Sequence, residues 1–176
     1  LNSISMLHWA LDMGMGAGSK LRHNRLEKVI GACVAGSGNV ELVAWSMRDP
    51  SVVASVALTT AAAGKGHLPV LQFLRSQNPP CPWNEETCNE AAKGGHIDTL
   101  KWLRSQNPPC PWNEATCQVA ASGGRLDMLK WLRSRQPPCP WSKDTCRAAA
   151  RGGHLHVLEW LRFQNPVYPL ISGPID

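Results

Sequence analysis

The chain has 176 residues, 43% of them hydrophobic and 18% charged, which is too apolar for a disordered segment and suits a folded chain with a core. Its net charge of +5 is carried by Lys and Arg scattered singly, so no basic tail for nucleic acid or membrane is indicated. No run of about 18 apolar residues occurs and the first residues lack the pattern of a secretion signal, so neither a membrane span nor a signal peptide is expected. The expected location is the cytoplasm, with the nucleus open. Because the chain opens on Leu1, it is expected to be a piece of a longer protein or a processed one. The aromatic balance is skewed, with 8 Trp against 1 Tyr and 2 Phe, and there are 7 Cys and 14 Pro.

Self-comparison explains the skew. Trp83, Trp112 and Trp141 are spaced by 29 residues, as are Trp102, Trp131 and Trp160, and Cys88, Cys117 and Cys146. In chain order, Met6, Leu7, Trp9 and Leu11 read as the second half of a partial unit over 1–14. An insertion over 15–25 follows. The segment from Gly14, Gly16 and Gly18 to Lys20, Arg22, His23 and Arg25 resembles a phosphate loop only superficially, because no strand precedes it. A unit over about 26–50 fits with Gly38, Val40, Leu42 and Trp45, and a diverged one over about 51–79 holds Gly66 and Phe73 in register. Three near copies occupy about 80–108, 109–137 and 138–165. Residues 166–176 leave the helical register, and Val167, Tyr168, Leu170 and Ile171 are expected to cap the last unit.

Each unit predicts helix, tight turn, helix, loop. In one copy, Asn84 is an N-cap, and Glu85 and Glu86 place negative charge in the first turn. Thr87, Cys88, Ala91 and Ala92 form a small-residue stripe, and Gly94-Gly95 ends the helix. Ile97, Leu100, Trp102 and Leu103 line a second helix that Pro108 and Pro109 stop. Neither helix is long enough to stand alone, so each must bury its apolar face against its neighbours. The fold class expected is all-α: one domain over 1–176, a helix-turn-helix repeat solenoid of about five and a half units with little or no β-structure.

Thr87, Cys88, Ala91, Ala92, Gly95 and His96 read T-C-x-x-A-A-x-x-G-H, which resembles the ankyrin repeat, and the resemblance covers about residues 27–164. The usual unit has about 33 residues. Here it is shorter, the Thr-Pro-Leu-His turn is contracted, and Pro-Pro-Cys-Pro-Trp replaces the hairpin tip. Short stiff loops are therefore expected in place of projecting β-hairpins. The resemblance implies turn hydrogen bonds for His67, His96 and His154, with Arg125 at the same position. It also implies a partner-binding groove lined by the first helices. Within that groove the positions that vary among the near copies give the contact candidates: Asn89, Glu90, Lys93, Gln118, Val119, Ser122, Arg147 and Arg151.

The other unusual residues have bland readings. Cys81/Cys88, Cys110/Cys117 and Cys139/Cys146 show C-x6-C, not the close pairs of a zinc clasp, and Cys88, Cys117 and Cys146 fit small buried positions. Equivalent cysteines on stacked helices sit about 8–10 Å apart, too far for disulfides. The Trp residues are expected to pack in the core and at its loop edge. Arg75, Arg104, Arg133 and Arg162 form a ladder that suits either helix C-termini or phosphate contacts. No catalytic constellation, metal site or cofactor motif is found. The chain is expected to be a monomeric, non-catalytic scaffold that binds a protein partner. The alternatives are nucleic-acid or anionic-surface binding through the Arg ladder, and a purely structural array.

Overall fold

A computed structural model describes residues 32–48 and 54–164. The expected partial unit at 1–14, the insertion at 15–25 and the cap at 166–176 lie outside the described residues. Among the described residues the regular structure is entirely helical, with no strand. The helices are α1 (Val40–Ser46), α2 (Val56–Gly64), α3 (Leu68–Arg75), α4 (Glu85–Gly94), α5 (Ile97–Ser105), α6 (Glu114–Ser122), α7 (Leu126–Arg133), α8 (Lys143–Arg151) and α9 (Leu155–Gln164). Two compact units are distinguished, one reaching 62 and resuming over 67–82, the other made of 63–66 and the chain from 83 onward.

In the first unit α1 packs on α3. Asn39 caps α1 by accepting from the Leu42 N–H at 3.0 Å, and Pro69 lies in the first turn of α3, where a missing N–H costs nothing. Leu42, Val43, Val70, Leu71 and Leu74 are buried.

The second unit contains three helix pairs, α4/α5, α6/α7 and α8/α9. Each pair packs on itself, and the first helices pack in series, α4 on α6 and α6 on α8. Local sequence sets the helix starts. Asn84, Asn113 and Ser142 each accept a backbone N–H from two residues on, and their own N–H groups donate to Thr87, Thr116 and Thr145. These reciprocal bonds satisfy donors that the first turn would otherwise leave open. The small residues Cys88, Ala91, Ala92, Cys117, Ala120 and Ala121 are fully buried and allow close approach of the first helices. Leu100, Leu103, Leu129 and Leu132 fill the space beneath the second helices. Each fully buried leucine contributes about 1.5–3 kcal/mol.

The loops between pairs are held by one residue each. The Cys110 N–H donates to Leu103 O at 3.0 Å, its carbonyl accepts from Arg104 Nη1, 2.6 Å away, and its thiol donates to Asn84 O at 3.3 Å. Cys139 repeats this with Leu132, Arg133 and Asn113. In the first unit Cys81 repeats it with Leu74, Arg75 and Ser55. The loop cysteine thus ties the end of one second helix to the N-cap of the first helix before it. The peptide bonds preceding Pro79, Pro108 and Pro137 in these loops are cis.

Candidate functional site

The candidate contact residues sit on α4, α6 and α8, which the small-residue stripe brings side by side. Glu90 is half-buried and pairs with exposed Lys93 at 3.1 Å. Gln118 and Val119 are half-buried on α6, and Ser122 is exposed at its end. On α8 Arg147 and Arg151 are exposed, and Arg147 pairs with Asp144 at 2.7 Å. These exposed ion pairs are each worth under about 1 kcal/mol and leave the charges free to exchange partners. Seven of the eight candidates therefore keep solvent access on the first helices.

Asn89 is the exception and corrects the expected exposure. It is only 7% exposed, and its side-chain carbonyl accepts from Thr116 Oγ1 at 2.6 Å. Thr116 belongs to the next first helix, so the side chain is committed to joining α4 to α6. Its counterpart Gln118, with α8 beyond it, is half-buried, and Arg147, with no described helix beyond α8, is exposed.

The arginine ladder is largely occupied within the fold. Arg104 and Arg133 are half-buried. Besides the loop carbonyls, they lie over the Trp112 and Trp141 rings at 4.0 and 4.6 Å. Such stacking is favourable by about 0.5–2 kcal/mol. The tryptophans meet in pairs at ring-centroid distances of 6.1, 6.1 and 6.0 Å: Trp83 with Trp102, Trp112 with Trp131, and Trp141 with Trp160. The first two pairs meet edge-on, which suits the ring quadrupoles, and the third is tilted at 60°. Loop and second-helix tryptophans thus meet each other.

The histidines bridge helix pairs. His96 Nε2 lies 3.2 Å from Gly64 O and His154 Nε2 lies 2.9 Å from Ser122 O. Within the first unit His67 Nε2 lies 3.0 Å from Gly36 O. The Gly64 and Ser122 carbonyls lie at the ends of α2 and α6, where open acceptors collect.

The described cysteines are free thiols. Burial raises the Cys81 pKa to about 11. Cys88 is raised by a hydrogen bond with the Cys110 side chain and by burial. Cys139 is raised likewise by the Cys117 side chain and by burial. These thiols are protonated at neutral pH and poor nucleophiles. Among the described residues no three His, Cys, Asp or Glu side chains converge as a metal site. No helix among them is long and apolar enough to cross a membrane.

No protein-family model matches the chain, and no curated protein matches it. The sites therefore rest on geometry alone. The loop-cysteine clamp and the Asn89–Thr116 bond escaped sequence reasoning, because their partners lie 26 and 27 residues away. The unit length of 29 was the available signal, since both bonds cross from one copy to the next.

Proposed function

We propose that the chain is an ankyrin-like repeat domain with no catalytic chemistry, which binds a protein partner across the face of its first helices. The observation that carries this reading is the separation of fixed and varying positions. Thr87, Cys88, Ala91 and Ala92 recur in α6 as Thr116, Cys117, Ala120 and Ala121, and all are buried. Glu90 and Lys93 become Val119 and Ser122, then Ala148 and Arg151, and all keep solvent access. Variation confined to one face of near-identical helices is what a recognition surface on a uniform frame requires.

The arginine ladder is a poorer binding surface, because Arg104 and Arg133 are engaged with loop carbonyls and Trp rings. Phosphate binding would have to displace those contacts. The test is affinity capture with the wild-type chain and with Arg147→Glu/Arg151→Glu. Loss of the captured protein from the folded variant supports the reading; undiminished capture counts against this face. Salt-sensitive DNA or RNA binding that Arg104→Gln and Arg133→Gln abolish would favour the ladder instead.

A further inference from the structure

The outer side of the α8/α9 pair differs from the same side of the two pairs before it. Cys88 and Cys117 are fully buried, whereas Cys146 is half-buried. Ala92 and Ala121 are fully buried, whereas Ala150 is exposed. Ile97 and Leu126 are half-buried, whereas Leu155 is 66% exposed. Phe163, at the register position of Ser105 and Ser134, is 83% exposed. Leu155 and Phe163 are the large apolar side chains left exposed among the described residues.

A second observation says what fits there. At Gly95 the Arg125 side chain of the following pair comes to 2.9 Å from the place of a Cβ, and at Gly124 the His154 ring comes to 2.6 Å. Gly153 has the same left-handed φ of 71°, yet among the described residues nothing lies within 4 Å of its Cβ place. The seat that receives a His or Arg from the next pair is formed, and no described residue fills it. A cation or N–H donor arriving there would also meet the C-terminal carbonyls of α8, where the helix dipole favours it.

We propose that the outer face of α8 and α9 is a docking surface for one further helix pair of the same chemistry. Its partner carries a first helix with a Cys/Ala stripe to lie against Cys146 and Ala150. After its glycine turn it carries a His or Arg that covers Gly153, and its apolar second helix covers Leu155. The interface continues the one that joins α4 to α6 and α6 to α8. It borders the varying face at Arg147, the register position of Asn89, but Cys146, Ala150, Gly153 and Leu155, on which it rests, are not among the partner-contact candidates.

The experiment compares the full chain with one carrying a second copy of residues 107–135 inserted after Gln164, which keeps the register and leaves 165–176 behind the insert. Native-state alkylation is followed at Cys146 and Cys117 by peptide mass spectrometry. In the full chain Cys146 is expected to react at least about tenfold faster than Cys117, and in the extended chain to slow to the Cys117 rate. Hydrogen exchange over Leu155–Leu161 reports the same protection without thiol chemistry. An extended chain that protects neither Cys146 nor these amides overturns the proposal. So does a full chain in which Cys146 is already as slow as Cys117, because residues 165–176 would then fill the face.

Discussion

The middle pair α6/α7 and the last pair α8/α9 have nearly the same sequence but different environments. Thr116, Cys117, Ala120 and Ala121 of α6 are buried against a helix on each side. On α8 the same register holds Thr145, Cys146, Ala149 and Ala150, of which only Thr145 and Ala149 are buried. The difference teaches that burial here belongs to the neighbour as much as to the residue. One stripe of small side chains serves two interfaces, and an end pair among the described residues satisfies only one of them.

The largest test of this contrast is a leucine at one register position. Leu129 is fully buried, so Leu129→Ala is expected to cost about 2–5 kcal/mol in urea denaturation. Leu158 is half-buried, and Leu158→Ala is expected to cost roughly half as much or less. Equal losses would mean that the two pairs are packed alike.

A smaller effect separates the turn glycines. Both Gly124 and Gly153 have positive φ, of 69° and 71°, so alanine at either costs about 1–2 kcal/mol for the left-handed backbone. Gly124→Ala additionally drives a methyl into the His154 ring. The melting temperature of Gly124→Ala should therefore fall further than that of Gly153→Ala. Truncating the ring in a His154→Ala background should bring the two losses together.

The smallest effect is expected in alkali, and it sharpens the role of the buried loop thiol. The Cys81 pKa stands at about 11 in the folded chain against 9.0 for the free side chain. The unfolded chain therefore loses this proton first. The contribution of Cys81 to stability is full below about pH 9 and declines as the pH rises towards 11. Cys81→Ala should flatten that part of the stability–pH curve, and denaturation midpoints at stepped pH check it. An unchanged slope would show that the thiol does not titrate differently on folding.

Much of the local structure was legible in the chain. Asn84 and Gly95 bracket α4 as expected, with Gly95 left-handed at φ 79°. Caps act through partners only a few residues away, so sequence spacing suffices to find them. The face carrying Glu90, Lys93, Val119, Ser122 and Arg151 was likewise legible, because helical periodicity sorts the stripe from the opposite side. Asn89 was not. It lies at the border of the stripe, and only the approach of Thr116 from the next helix decides that it is buried. The loop cysteines were legible as recurring residues but not as clamps, since the thiol of Cys110 needs the carbonyl of Asn84 brought to it.

The sequence by itself determined the helix pair, its caps, its turn and the 29-residue unit, because all of these depend on contacts within a few turns of chain. Tertiary structure decided three further things: which border residues are buried, where the arginines and tryptophans direct their polar and aromatic faces, and which pair has an open side among the described residues. The physical reason is that identical units present identical surfaces. Only the presence or absence of the next helix against that surface determines whether a cysteine, an alanine or a glycine seat is covered.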